Sequence, residues 1–463
     1  LKRELVRGIG RLDATTLVVG SMIGSGIFIV SAKSARVLGS GGWLIAAWAI
    51  AGVLTMVAAL CCSELAAMMP RAGGQYVFFR EAYGPLFGFL FGWTMFLVVQ
   101  TGTIAAVAVA FAKFLGVLWP AVSETKTAVG PFSVSIAQGV GVAVIVLLTA
   151  SNATGLETGT RTQNVFTFAK FFALLGLTAC GLAFGQPDAA LREGGFWQAV
   201  SADGTSLTGL ALVIGLGIAM VGPLFSQSAW NNVTFAGEEV ERPDRTLPIA
   251  LLVGCLLVTT LYVLTNVAYL NVLPLDAVQH APADRVATAV ATALFGPGAA
   301  RVMAVAIMIS TFGCVNGLIL SGARVSFAMA RDGLFFRRLE RLNDAAVPAN
   351  ALWVQALWAS LLALSGSYSD LLEYVISADI LFYVLLVVAV IVLRRKRPDL
   401  PRPFRAPGYP ILPLFYAAAG AVLIAVLLAG NPRTTWPGYV LVLTGVPVYF
   451  AWRRRARETS ALS

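Results

Sequence analysis

The sequence predicts an all-α membrane protein of about twelve transmembrane helices, with the first and sixth interrupted near mid-membrane. Three observations carry this prediction. The chain of 463 residues is 58% hydrophobic and 12% charged, with a mean hydropathy of +0.80, whereas soluble domains carry about 25% charged residues. Its apolar stretches recur at lengths that cross a bilayer. Within the first of them lies Gly20-Ser-Met-Ile-Gly-Ser-Gly-Ile-Phe28, which weakens a helix where a bilayer demands an unbroken one.

The predicted spans, in order, are 12–36, 41–68, 84–117, 131–151, 162–184, 208–237, 247–272, 299–331, 349–366, 370–393, 409–429 and 436–454. All belong to a single domain, 1–463. The first span runs directly into the glycine-rich motif and is too long for the apolar region of a cleavable signal peptide. Gly20 and Gly24 also form a GxxxG pattern, which a close helix–helix contact would explain. That explanation leaves out Ser21, Ser25 and Gly26 beside them. Irregular backbone at membrane depth is tolerated only where it is buried in protein or lines a watery cavity.

The sixth span repeats the device. Gly215-Leu-Gly217-Ile-Ala-Met-Val-Gly222-Pro223 is followed by the polar run Phe225-Ser-Gln-Ser-Ala-Trp-Asn-Asn232. Spans one and six head two halves of five helices, 12–184 and 208–393, and the two spans within 409–454 follow. Five is odd, so the halves cross the membrane in opposite senses. Paired breaks at corresponding positions of inverted repeats mark a transporter's binding site. The half-helix after a break presents free N–H groups suited to a carboxylate, and the half-helix before it presents free carbonyls suited to an ammonium. Two facing breaks hold a zwitterion without a charged side chain, and an α-amino acid fits that pattern.

The loops are short. With the N-terminus in the cytoplasm, that side receives Lys2, Arg3, Arg7, Arg11, the run Arg394-Arg395-Lys396-Arg397 and Arg453-Arg454-Arg455. The other side receives Lys33, Arg36, Lys126, Arg192, Arg285 and Arg433. This asymmetry, rather than nucleic-acid binding, accounts for the net charge of +10. It places both termini inside an inner, or plasma, membrane. The external stretch 185–207 is the longest loop, and the connection from His280 to about Pro297 has room for a short helix over the external face.

Cys61, Cys62, Cys180, Cys255 and Cys314 all fall within predicted spans, so no disulfide framework is implied. His280 is the sole histidine. With no metal-ligand cluster and no nucleophile triad, neither an enzyme nor a cofactor is expected.

Lys170 is the conspicuous charge of span five. From a start near Thr162 it lies roughly 12 Å in, at about 1.5 Å per residue, and that depth strains the reach of a snorkelling side chain. Asp379 in span ten is the other interior ionisable residue. It is read first as pairing with a hydroxyl, with an external vestibule or titration as the other roles. Glu64, Lys113 and Arg324 fall near span ends and read as interfacial or loop-anchoring groups.

Several further motifs occur in a fixed order. They are Ser63-Glu64-Leu-Ala-Ala-Met-Met-Pro70-Arg-Ala-Gly-Gly-Gln-Tyr76 with Glu81-Ala-Tyr-Gly-Pro85, then Glu238-Glu239-Val-Glu-Arg-Pro243-Asp-Arg-Thr-Leu-Pro248. Tyr262-Val-Leu-Thr-Asn-Val-Ala-Tyr269 follows, and last come Arg394-Arg-Lys-Arg-Pro-Asp-Leu-Pro-Arg-Pro-Phe404 and Pro407-Gly-Tyr-Pro410. On these motifs, over essentially its whole length, the chain resembles the amino acid–polyamine–organocation superfamily. Within it, the chain is similar to the L-type amino acid transporters, here of bacterial type. The resemblance implies the leucine-transporter-like fold, two inverted five-helix repeats plus two C-terminal helices, with substrate between spans one and six.

Carried over from that resemblance, Ser25, Gly26 and Ile27, with Gly24 beside them, look like the carboxylate cradle. The carbonyls of Ile23 and Phe225 look like acceptors for the amino group. Phe225 also looks like an aromatic gate, and Ser228 and Trp230 like pocket or hinge positions. The family often has glycine where Ser228 and Ala229 stand, which implies a tighter pocket. The matching family lysine takes the place of a sodium ion, so Lys170 would tether Gly20 and Ile23 to span eight near Ser310 and Thr311. As a permanent tether or as a titrating group, it implies sodium-independent transport. Tyr262 resembles a family tyrosine near that lysine; plain helix packing is the alternative.

The function expected is secondary transport of neutral L-amino acids, with small ones such as alanine or serine preferred, by exchange or proton coupling. A transporter of cationic amino acids or polyamines is the alternative within the fold, and a membrane sensor or channel is the alternative outside it. Animal relatives join a heavy chain through a cysteine between spans three and four. The loop from Trp119 to Pro131 has none, so a monomer without a covalent partner is expected, in contact with lipid and not with nucleic acid.

Overall fold

Gly10 and Asp13 start the first helix. The Asp13 carboxylate accepts the Gly10 N–H at 3.0 Å, which satisfies a backbone donor at the helix N-terminus. The structure, a computed structural model, describes residues 4–122, 126–129, 132–186, 188–201, 203–365, 368–430 and 432–461. Two helices build the first span, α1 (Arg11–Met22) and α2 (Gly26–Leu38). Gly39 ends α2 in the left-handed region at φ 52, where glycine carries no steric penalty. Next come α3 (Gly41–Met68), α4 (Gln75–Tyr83), α5 (Pro85–Thr94) and, after a π-helical turn at Met95–Val99, α6 (Gln100–Leu118).

A hairpin of β1 (Lys126–Val129) and β2 (Phe132–Ser135) leads to α7 (Ile136–Ala153). Ser135 and Gln138 form a reciprocal cap at the start of α7. The two halves of the hairpin pair antiparallel. The next helix, α8 (Leu156–Ala183), begins six residues before the expected Thr162. Its first turns are polar, with Glu157 suited to the positive N-terminus, so the apolar boundary is not the helix boundary. Lys170 therefore lies roughly 21 Å along α8 at about 1.5 Å per residue, while its distance from the apolar boundary is unchanged.

The sixth span comprises α9 (Gly209–Ala219), α10 (Val221–Ser226) and α11 (Asn232–Phe235). Then follow α12 (Pro243–Val272), α13 (Leu275–Gln279), α14 (Val286–Phe295), α15 (Ala299–Arg331), α16 (Ala349–Ser365), α17 (Tyr368–Lys396), α18 (Ile411–Gly430) and α19 (Pro432–Ala461). Helix α14 is the short helix expected between His280 and Pro297. Among the described residues, nine segments qualify by length and composition as membrane spans. The remaining expected spans are helical as well: α16 has 17 residues, α17 has 29 and α19 has 30. The chain is an all-α, multi-pass membrane protein.

The interior is built around α1, α2 and α15, whereas α18 turns Leu414, Phe415 and Val422 outward, as a lipid-facing helix does. Ile9 pairs with Val240 in a parallel bridge, and the Gly8 and Ile9 N–H groups both donate to the Glu239 carbonyl, at 2.9 and 3.0 Å. Arg324 on α15 grips the Glu239 carboxylate with bonds of 2.7 and 2.9 Å. Further along the chain, Trp452 of α19 stacks on Phe335, with ring centroids 5.8 Å apart. These contacts bring both chain ends to one face of the bundle.

Glu64 and Arg324 are anchors, but buried ones. Each is 1% exposed. Arg394 clasps Glu64 at 2.9 and 2.6 Å, and the Ala406 N–H adds a bond of 2.8 Å. That cluster ties α3 to α17 and to the loop before α18.

Candidate functional site

The first break spans Ile23, Gly24 and Ser25, between the end of α1 and the start of α2. A helix interrupted there leaves carbonyls at the end of α1 without helical partners, and neighbouring helices supply donors in turn. The Lys170 ammonium on α8 donates to the Gly20 carbonyl, to Ile23 at 2.8 Å and to Ser310 at 3.3 Å. The Cys314 thiol on α15 donates to Ser21 at 3.1 Å. The Tyr262 hydroxyl on α12 donates to Met22 at 2.9 Å. The Ser310 hydroxyl lies 3.2 Å from the Ile23 carbonyl and 3.3 Å from that of Gly24. A positive charge 1% exposed is thus held by carbonyl dipoles in the manner of a bound cation.

Thr311 differs from expectation. Its hydroxyl bonds to Ile307 at 2.9 Å and Met308 at 3.1 Å on its own helix, so it does not reach the break. A threonine inside a helix readily satisfies its hydroxyl on the preceding turn. Cys314 was missed by the sequence reading. A buried cysteine carries no signal of its own, although Cys314 lies one helical turn beyond Ser310.

The glycines on either side of this break lie close against neighbouring helices. A side chain at Gly20 would collide with Gln163 and Thr167 of α8, and one at Gly26 would collide with Ser226 at the end of α10. Gly26 and Ile27 head α2, where the first N–H groups of a helix have no intrahelical acceptor. The end of the first break and the start of the second therefore lie against each other, Gly26 beside Ser226.

Below the break, α1 is fastened to α8. Thr167 donates to the Thr16 carbonyl at 3.2 Å, the Thr16 hydroxyl donates to Asn164, and Asn164 donates to Asp13 at 2.6 Å. An open cavity of about 850 Å³, lined by Asp13, Asn164, Glu157 and Arg161 among others, reaches this row from the face that carries the chain ends.

The second break runs from Gln227 to Asn231, between α10 and α11. Phe225 is the penultimate residue of α10. Its carbonyl accepts the Ser228 N–H at 3.1 Å and the Ser228 hydroxyl at 2.8 Å. The expected amino-group acceptors, Ile23 and Phe225, are thus both engaged by protein donors in this conformation. Ala229 adopts φ 63, a left-handed conformation that strains an alanine. Gln227 bridges Trp48 and Thr259, each at 3.1 Å, and Asn231 donates to Gln75 at 2.8 Å.

Trp230 stacks on Tyr383 of α17 at a centroid distance of 5.3 Å. Asp379, one turn before Tyr383, accepts a hydrogen bond from the Tyr383 hydroxyl. The structure thus brings Ile23, Gly24, Ser25, Gly26, Ile27, Lys170, Tyr262 and Ser310 to one break, and Phe225, Ser228 and Trp230, with Asp379 behind them, to the other. No group of His, Cys, Asp and Glu among the described residues is arranged to hold a metal ion.

Residues 9–449 match the sequence profile of the family described as Amino acid permease. The chain is 28% identical to the Serine/threonine exchanger SteT of Bacillus subtilis (strain 168), over 98% of each chain. It is 30% identical to the Large neutral amino acids transporter small subunit 2 of Mus musculus, over 97% of this chain and 81% of that one. It is 29% identical to the Cystine/glutamate transporter of Homo sapiens, over 98% of this chain and 88% of that one.

Proposed function

This chain belongs to the amino acid permease family, a family of transporters rather than enzymes, and on that premise we propose that it exchanges small neutral L-amino acids across a plasma membrane without sodium. The observation that carries the proposal is the Lys170 ammonium bound to Gly20, Ile23 and Ser310 across the first break. A lysine fixed there does the work of a mobile cation, joining the broken helix to α15 whether sodium is present or absent.

The substrate's carboxylate is assigned to the N-terminus of α2, at Ser25, Gly26 and Ile27. Its ammonium is assigned to the carbonyls of Ile23 and Phe225. Because those carbonyls now accept bonds from Lys170, Ser310 and Ser228, substrate would share or displace those donors when it binds. Phe225 and Trp230 serve as aromatic gate and hinge. The two halves, 12–184 and 208–393, act as inverted repeats that alternate access to the site, with both termini in the cytoplasm.

Exchange is favoured over net uptake by the likeness to a serine/threonine exchanger. A small substrate is favoured by Ser228 and Ala229, which carry side chains into the unwound segment. Among the described residues, no cationic or anionic group touches the break carbonyls other than Lys170, which favours neutral side chains. The cysteines are buried or part-buried in helices, which favours a chain that works without a disulfide-linked partner.

Purified protein in liposomes preloaded with unlabelled serine tests the reading. Labelled serine or alanine is expected to enter in choline buffer, and to enter several-fold more slowly when the lumen holds no amino acid. Entry that strictly requires sodium, or no entry of any neutral amino acid, overturns it.

A further inference from the structure

The acidic side chains buried in the described structure divide into two kinds. Glu64 is clasped by Arg394 and lies 3.4 Å from Arg402. Glu239 is clasped by Arg324. Asp379, 3% exposed, has no arginine or lysine, and the Tyr383 hydroxyl is its side-chain partner. A carboxyl placed in an apolar interior is satisfied by a cation or by a proton, because an unpaired carboxylate there is costly.

Among the described residues, the surroundings of Asp379 supply no cation. A cavity of about 20 Å³ opens beside it, lined by Thr55 of α3, Gln227 and Trp230 of the second break, Tyr383 of α17 and Tyr416 of α18. That room is enough for about one water molecule. Among the described residues, the titratable groups facing the carboxyl from these elements are Tyr383 and Tyr416, with Cys61 of α3 beyond Tyr416. None of them is a base able to carry positive charge.

The Tyr383 hydroxyl oxygen accepts from the Ala229 backbone N–H, and its hydrogen faces two acceptors. The hydroxyl bonds to Asp379, and it lies 3.5 Å from Oδ1 of Asn231, the last residue of the second break. The Tyr383 ring also stacks on Trp230. One hydroxyl hydrogen cannot serve both acceptors fully. An ionised Asp379 takes it in a charge-assisted bond. A protonated Asp379 donates its own hydrogen to the Tyr383 oxygen and frees the Tyr383 hydrogen for Asn231.

We propose that Asp379 and the cavity beside it form a proton-binding site that sets, through Tyr383, how tightly the end of the second break is held to α17. Proton uptake on Asp379 turns Tyr383 toward Asn231 and draws the Trp230–Asn231 segment onto α17. Proton release returns the hydroxyl to Asp379 and loosens that segment. The site is separate from Lys170, whose partners are Gly20, Ile23 and Ser310. The inference deepens the transporter reading, and its effect on transport rests on that reading.

Two measurements on the full chain test it. The first is labelling by dicyclohexylcarbodiimide, which attacks protonated carboxyls in apolar surroundings, mapped by mass spectrometry between pH 5 and 9, a range of about four units around the ordinary working pH. Asp379 is expected to be modified, more at low pH and with a single midpoint, while Glu64 and Glu239 stay unmodified. Labelling absent at every pH, or independent of pH, overturns the proposal. The second is the fluorescence of Trp230, taken as the difference between the natural chain and Trp230→Phe. It is expected to titrate with the same midpoint and to lose that titration in Asp379→Asn; a titration that survives in Asp379→Asn also overturns the proposal.

Both readouts are independent of transport. Titration without amino acid exchange leaves the proton site standing and removes the transporter reading. Exchange without titration does the reverse.

Discussion

The Lys170 ammonium lies 2.8 Å from the carbonyl of Ile23, 147 positions away in the chain. That bond joins the interior of α8 to the point where the first helix breaks. Lys170→Ala removes the donor from the carbonyls of Gly20, Ile23 and Ser310 together. An unsatisfied buried polar group costs about 1–3 kcal/mol, and about 1.4 kcal/mol is tenfold in an equilibrium. Initial exchange in proteoliposomes is expected to fall by well over about tenfold by that arithmetic, while the protein still elutes as a folded species in detergent. Exchange at the natural rate in Lys170→Ala refutes the tether.

Sodium replacement is a separate check on the same group. With choline in place of sodium on both sides of the membrane, the exchange rate of the natural chain is expected to stay unchanged. A loss proportional to the sodium removed would mean that a mobile cation, not Lys170, holds α1 to α15.

The pair of Arg324 and Glu239 predicts a stability effect. Glu239→Gln leaves the Arg324 charge buried without a counter-charge, which costs about 3–5 kcal/mol where such pairs have been broken. The unfolding temperature in detergent is expected to drop clearly in Glu239→Gln and to recover in part in Glu239→Gln with Arg324→Met. No drop in the single variant would mean that water reaches the pair.

Ser228 predicts selectivity. Ser228→Gly removes the hydroxyl that bonds to the Phe225 carbonyl at 2.8 Å and opens space in the unwound segment. One methylene in a packed pocket discriminates by about 1–3 kcal/mol. Leucine exchange relative to alanine is therefore expected to rise by about tenfold, one such step. An unchanged ratio in competition assays places Ser228 away from the substrate.

Ala229 predicts relief of strain. A left-handed alanine costs about 1–2 kcal/mol, and glycine gives back about 0.5–1 kcal/mol through its freer unfolded chain. Ala229→Gly is expected to raise the unfolding temperature slightly. Ala229→Val, with a branched side chain at the same φ, is expected to lower it markedly. Equal unfolding temperatures for the two variants would show that residue 229 relaxes out of the left-handed region.

Sequence reading succeeded where a residue type was out of place in its surroundings. Glycine and serine inside an apolar span located the first break, and the polar run after Phe225 located the second. Lys170 stood out as a charge in a span, and its partners Gly20, Ile23 and Ser310 followed from the resemblance. The reading fell short where a residue type was ordinary. Cys314 looked like core, and its bond to Ser21 depends on the approach of α15. Thr311 was placed on the tether, but the turn before it had already taken its hydroxyl.

Arg324 looked like a span-end residue, because its pairing with Glu239 joins positions 85 apart in the chain and no local pattern encodes it. The start of α8 was set six residues late because hydrophobicity marks where a helix meets lipid, not where its hydrogen bonds begin. The π-helical turn at Met95–Val99 lies in an apolar run that gives no sign of it.

The backbone bridge between Ile9 and Val240 has a mechanical consequence. It links the strand that feeds α1 to the strand that leaves α11, through main-chain atoms that no side-chain substitution removes. At the face that carries the chain ends, the approaches to both interrupted helices are therefore joined to each other like the two arms of one lever. The latch on that lever is the Arg324 guanidinium, which grips the same glutamate whose carbonyl accepts the Gly8 and Ile9 N–H groups. It is not the sole hold: Thr167 and Asn164 of α8 also fasten α1 below the break, so releasing the Arg324 pair alone loosens the joint without freeing either helix.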